Sequence, residues 1–170
     1  MWQHDLITPG MISASSTVAD DSFSPGASQI AWECVNAPPG ANKEMPNGVW
    51  PHAWAPARAA EGEWLQVTFA DEVSVARLQV QGRYDGGHWG CVTKLKFMYS
   101  VDTEGDTFYE SSVKGSSILE APSNQSNAHV NTYTLDAPIT GRRFRIVVAG
   151  WFNYPSLRFE LYGPVEEKAI

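Results

Sequence analysis

The stretch VNTYTLDAPITGRRFRIVV, residues 130–148, contains two runs, VNTYTL and RRFRIVV, rich in β-branched and aromatic residues and mostly alternating apolar with polar. A period of two sends successive side chains to opposite faces of an extended chain, so each run reads as a strand with one buried and one wet face. The same texture returns in WLQVTF (64–69), VARLQVQG (75–82), KLKFMYSV (94–101) and LRFELYG (157–163). No sustained i, i+3, i+4, i+7 apolar stripe occurs, and 11 prolines and 14 glycines punctuate the chain. Short alternating strands without helices predict an all-β protein of antiparallel sheets, closed as a sandwich or barrel.

At 170 residues and 43% hydrophobic, the chain holds enough apolar material for one core, and a single domain over 1–170 is expected. A net charge of −7 argues against nucleic acid and against an anionic membrane surface as partners. No apolar run approaches the roughly 20 residues of a membrane helix, and the start, MWQHDLITPGM, has neither a basic nor an apolar leader region. A soluble chain is expected, its secretion signal removed or never present. The two cysteines, Cys34 and Cys91, fit no zinc spacing, and no motif sets His4, His52, His88 or His129 beside either as a catalytic base. A disulfide between two loops is the preferred reading over two free thiols. The sequon Asn124-Gln125-Ser126 suits a secreted loop. No carboxylate pair and no nucleophile with its base is spaced to identify itself, so the chain reads as a binding protein and not an enzyme.

Two segments carry more chemistry than connections need. Residues 18–60 show no clean alternation and hold six prolines together with Trp32, Trp50 and Trp54. A connection this long inside a compact domain is usually functional. The stretch QGRYDGGHWGC (81–91) sits between two strands, where glycine and a polar residue would suffice, yet it holds Arg83, Asp85, His88, Trp89 and Cys91. Residues 102–128 read as a solvated hairpin and linker with nothing that calls for a site.

In order along the chain, ITPGMISASS, GEWLQVTF, VARLQVQGR, VTKLKFMYSVD, VNTYTLDAPITGRRFRIVV and SLRFELYG resemble the discoidin domain, also called the coagulation-factor type C domain, from about Leu6 to Gly163. The resemblance implies an eight-stranded antiparallel jelly-roll β-sandwich with ligand-binding loops at one end. It also implies a non-catalytic module that binds galactose-type sugars, phospholipid headgroups, collagen or other proteins. Many relatives clamp their termini with a disulfide; here His4 or Asp5 and Pro164 stand at those positions. In the family the loops holding Cys34 and Cys91 project from the same end, so a bridge between them would fix two binding loops in relation, at about 4 kcal/mol in a chain-entropy account.

A sugar site needs an aromatic plane and a fan of fixed donors and acceptors. By resemblance Arg83, the arginine after Q-G, is the ligand contact, with Tyr84, Asp85, His88 and Trp89 beside it; the alternative is an ordinary ion pair of Arg83 with Asp85. Trp54 takes the place of the family's A-W-C-P tryptophan, with His52 two residues before it and Trp50 as a further platform. Phe152, in GWFNYPS (150–156), is the candidate stacking ring of the last loop, while Trp151 matches a position usually buried. Trp32 is expected to pack beneath the first loop and Trp64 within the core. Arg145 and Arg158 are expected to be structural and paired with a carboxylate such as Glu160 or Asp136. No cofactor is expected: Glu160 fits half of a structural-calcium pattern known in sugar-binding relatives, but Asn47-Gly48 only approximates the other half. The expected partners are glycans or glycoproteins of galactose or N-acetylgalactosamine type, met outside the cell in adhesion. A protein-recognition domain is the alternative, and lipid headgroups rank third because lysine is scarce in the candidate loops.

Overall fold

Eight strands are described by the computed structural model, which covers residues 11–18, 53–85, 88–123 and 129–164, with residues 83–85, 88 and 89 as backbone only. They are β1 (Ile12–Ala14), β2 (Trp64–Gln81), β3 (Arg83–Asp85), β4 (His88–Ser100), β5 (Tyr109–Glu110), β6 (Leu119–Glu120), β7 (Val130–Phe152) and β8 (Arg158–Tyr162). All named pairings are antiparallel.

The sequence predicts separate strands at 64–69 and 75–82, and again at 130–135 and 142–148. The structure joins each pair into one long strand. Nothing in FADEVS, residues 69–74, stops a strand: it has no glycine or proline, and Phe69 and Val75 are both buried. The corner is turned by register shifts, between Thr68 and Val73 and between Val75 and Arg77. Pro138 falls in the stretch of β7 that the second shift skips, between partners Thr134 and Ile139, where its missing N–H leaves no ladder bond broken.

Because β2 and β7 bend together, their two halves lie in two layers. In one, residues 77–81 of β2 lie between β7 (130–134) and β8. In the other, residues 64–68 of β2 lie between β1 and β7 (143–147), and β4 pairs β7 and carries β5 and β6. The result is an antiparallel jelly-roll sandwich. Leu65, Val67, Phe97, Phe144 and Ile146 from the second layer meet Leu78, Val80, Phe159 and Leu161 from the first in one core. Phe144 sits at its centre, stacked on Phe97 at 6.1 Å and edge-on to Phe69 at 5.9 Å.

Three expectations about side chains change. Trp64 is only half-buried, because it lies on the outer face of its layer, where the Arg145 guanidinium sits 4.0 Å from its ring and 4.0 Å from that of Phe108. Arg145 donates through Nε (3.0 Å) and Nη2 (2.7 Å) to Gln66 Oε1, an amide oxygen where a carboxylate was expected. Asp136 instead accepts from Ser112 Oγ and from the amides of Lys114 and Gly115, closing the turn that follows β5. β8 is buried on both faces, Arg158 and Glu160 included, although its sequence alternates as if one face were wet.

Phe144→Ala leaves a cavity where both layers meet, and is expected to cost about 3–5 kcal/mol, read from the urea midpoint at unchanged m-value; a loss below about 1 kcal/mol would contradict Phe144 as the core's centre.

Candidate functional site

The long first loop leaves and returns at one point. Val18 N–H donates to Ala55 O at 3.0 Å, and Ala57 N–H to Ser16 Oγ at 3.0 Å. Trp54 closes the node: its ring is fully buried, its Nε1–H donates to Ser16 O at 3.0 Å, and its backbone exchanges two hydrogen bonds with Leu157. Beneath them Glu63, 8% exposed, accepts from Ser15 Oγ and, at 2.7 Å, from Ser16 Oγ, with Arg58 Nε 3.6 Å away. Burial alone would raise the Glu63 carboxyl, but the hydrogen bonds from Ser15, Ser16 and Arg58 outweigh it and hold the group below the ordinary carboxylate range.

The QGRYDGGHWGC stretch forms a hairpin, with Arg83 opposite Gly90, Tyr84 opposite Trp89 and Asp85 opposite His88. Its root is packed without room for side chains. A Cβ on Gly82 would fall 2.8 Å from Cys91 Cβ and 3.0 Å from Gly90 O, and a Cβ on Gly90 would overlap the Tyr154 carbonyl oxygen. From below, the buried Arg158 donates through Nη2 to Gly82 O at 3.2 Å.

The third segment, 152–157, joins β7 to β8. Two tight bonds, Tyr154 N–H to Phe152 O and Ser156 N–H to Tyr154 O, both 2.8 Å, bend it sharply, and Asn153 takes the left-handed conformation (φ 59°) that asparagine tolerates better than most residues. Phe152 ends β7 opposite Cys91 with 39% of its surface exposed, and Tyr154 Oη donates to Pro56 O at 2.6 Å. The return of the first loop, the hairpin root and the 152–157 turn therefore meet at one end of the sandwich.

The residues singled out in the sequence fall into three groups. Phe152 presents an exposed ring at this end, and Trp151 beside it is half-buried against the core. Arg83, Tyr84, Asp85, His88 and Trp89 are placed on the hairpin by their backbone. Trp50 and His52, with Trp32, Cys34 and the Asn124 sequon, lie outside the described residues. Trp54 is corrected: at 0% exposure its ring is an anchor for the loop and has no surface to offer a ligand. Cys91 is a buried free thiol, its Sγ 3.9 Å from both Pro122 O and Ser123 O. Burial pushes that thiol up to about 11, against a smaller opposing effect of the Phe152 backbone, which removes it as a nucleophile near neutral pH.

Tyr154, Gly90 and Arg158 went unread as parts of this end. The string GWFNYPS offers three aromatics, and only burial separates the presented ring from the fastening one. No group of three or more histidine, cysteine, aspartate or glutamate side chains is placed to hold a metal among the described residues. A concavity of about 750 Å³ opens between residues 113–120 and Thr132–Thr134, away from this end, but its one aromatic, Tyr133, is 8% exposed and donates its hydroxyl to Glu120 O at 2.8 Å. Its ring is covered, whereas Phe152 at the loop end has 39% of its surface exposed.

The F5/8 type C domain model matches residues 12–161. The chain is 30% identical over 117 residues to the human (Homo sapiens) EGF-like repeat and discoidin I-like domain-containing protein 3, covering 69% of this chain and 24% of that protein. It is 31% identical over 112 residues to mouse (Mus musculus) lactadherin, covering 66% and 24%. The chain thus spans about a quarter of the length of these curated relatives. Among solved structures, discoidin II of Dictyostelium discoideum aligns with a TM-score of 0.69 at 19% identity, over 91% of this chain and 55% of that one. The CBM32-1 and CBM32-2 domains of Clostridium perfringens ZmpB, solved in complex with GalNAc, align with a TM-score of 0.65 at 16% identity, over 97% and 37%. At such identities these structures speak for the fold alone.

Two outcomes test this geometry. Since the folded carboxyl of Glu63 is depressed, its contribution is present above the unfolded value and is lost as pH falls through the folded one. Glu63→Gln is expected to cost about 1–3 kcal/mol at pH 7, and the gap between the two proteins should close toward pH 3; a gap constant with pH would exclude the charged node. Alkylation of the native protein at pH 7.5 should leave Cys91 unmodified, and alkylation in denaturant without reductant should label it. A Cys91 peptide that takes label only after reduction would instead report a bridge.

Proposed function

The chain belongs to the F5/8 type C domain family, whose domains are non-catalytic binding modules, and on that premise we propose that it is a lectin-like module for galactose- or N-acetylgalactosamine-type glycans, working outside the cell or at its surface in adhesion. The observation that carries this reading is the meeting of three segments at one end of the sandwich, with the exposed ring of Phe152 beside the root of the Arg83 hairpin. Pyranose sugars combine a C–H face that packs on an aromatic ring with hydroxyls that need fixed polar partners. Phe152 supplies the ring. Arg83 and Asp85 bring the chemistry of a planar donor fork and an acceptor, and His88, Trp50 and His52 are the further polar and aromatic groups this reading assigns to recognition.

A neutral ligand also suits the charge. With a net −7, the chain gains nothing from long-range attraction to anionic headgroups, whereas sugar hydroxyls are indifferent to it. The GalNAc complex of the ZmpB domains supports this ligand class on the same fold. One small polar ligand on one open site binds weakly, so firm attachment calls for several copies, in a longer chain or in an assembly. The second reading is protein recognition, favoured by an exposed phenyl ring next to an arginine-bearing hairpin, a combination typical of interface hot spots.

A glycan array followed by calorimetry with N-acetylgalactosamine decides between them. Wild type is expected to bind terminal galactose or N-acetylgalactosamine, Arg83→Ala to lose roughly ten-fold or more, and Phe152→Ala roughly five- to ten-fold. Failure of wild type to retain any glycan, with capture of a protein or a vesicle in its place, would reject the lectin reading.

A further inference from the structure

We infer that Tyr154 is the positioning residue of this end, seating the hairpin with its backbone and the returning first loop with its hydroxyl, so that the two segments are mechanically coupled. The consequence for affinity rests on the glycan reading above; the coupling itself does not. On the hairpin side, a Cβ on Gly90 would overlap Tyr154 O and lie 3.1 Å from Tyr154 N, so the backbones of residues 90 and 154 lie too close to admit a side chain between them. On the loop side, Tyr154 Oη donates to Pro56 O at 2.6 Å, across 98 residues of sequence. Pro56 lies between Trp54, which is bridged to Leu157, and Ala57, whose N–H is held by Ser16 Oγ.

Tyr154 is itself held from both sides by the bonds to Phe152 O and from Ser156 N–H, which leaves it little freedom to follow one segment and not the other. Phe152, two residues earlier, is set by the same turn. One residue thus ties three parts together: its backbone meets the hairpin root and the turn that ends at the Phe152 ring, and its half-buried side chain meets the loop return. Burial, with a smaller effect of the nearby Glu63 charge, raises the phenol, so it stays a donor throughout the neutral range. Holding binding segments before the ligand arrives spares the entropy of ordering them afterwards.

Backbone amide exchange tests the coupling without any ligand. Tyr154→Phe keeps the ring and removes only the tie to Pro56; exchange at Ala57 and Trp54 is expected to rise roughly three- to ten-fold, the equivalent of one hydrogen bond. Gly90→Ala, made on the opposite side of the tie, should speed the same two amides, and that increment should vanish in the Tyr154→Phe background. Calorimetry with N-acetylgalactosamine should show a loss of roughly three- to ten-fold for Tyr154→Phe, while its melting temperature falls by only about 2–4 °C. Unchanged exchange at Ala57 and Trp54 in Gly90→Ala, or an equal increment with and without the hydroxyl, overturns the inference. Should Gly90→Ala fail to fold, Tyr154→Phe decides alone, and normal exchange at Ala57 refutes the role. Coupled exchange in a protein that binds no N-acetylgalactosamine would uphold the positioning role and sink the glycan reading.

Discussion

The antiparallel pairing of β2 with β7 is the constraint on which the other elements depend. Each strand runs through both layers, and they are paired from Trp64 with Val147 at one extreme to Gln81 with Val130 at the other. Two strands that stay paired through a corner must bend at the same place, and the bend decides where both layers lie. Three of the other strands attach to edges this pair provides, β1 and β8 to β2 and β4 to β7, and β4 in turn carries β3, β5 and β6. Burial then follows from position. Phe69, Phe97 and Phe144 gather on the second layer's inner face, which the corner sets against the first.

The same pairing assembles the loop end. β2 finishes at Gln81 opposite Arg158, the first residue of β8, and β7 finishes at Phe152 opposite Cys91. Strand termini from both layers therefore crowd one end, and the connections between them have to share a small volume. Glycine at 82 and 90 is the consequence, since any side chain there would meet backbone. Arg158 beneath the hairpin follows the same logic. A buried guanidinium satisfies a carbonyl that the tight root leaves without a strand partner, a use that suits its many donors.

Much of this was legible in the sequence, for reasons that can be named. Alternation in VNTYTL and RRFRIVV reports a strand because one face is dry and the other wet, and that holds for β7 along most of its length. It failed for LRFELYG because alternation cannot say whether the polar face is left open or covered; Arg158 and Glu160 are covered. It also split β2 and β7 at their corners, since a bulge breaks the period without ending the strand. The loop chemistry was legible as excess. QGRYDGGHWGC carried more than a turn requires, and it forms the hairpin of the loop end. What could not be read was the division of labour among aromatics. Trp54, Phe152 and Tyr154 are all large rings at this end, yet one is an anchor at 0% exposure, one is exposed at the end of a strand and one is a tie.

That division has a physical logic that bears on recognition. A ring that stacks on a sugar must be exposed, yet an exposed ring on a free loop pays in conformational entropy each time it is ordered. Phe152 escapes the conflict by standing at the last position of a strand, where its backbone is still paired with Cys91. Trp54 serves the other half of the requirement. Its indole, buried and hydrogen-bonded to Ser16 O, closes the mouth of a loop of more than thirty residues, and closing a loop of that size by side chains costs entropy that a large apolar surface is well suited to offset. Among the described residues of this end, the tryptophan that the family pattern marks is the buried ring, and the smaller phenylalanine at the end of β7 is the exposed one.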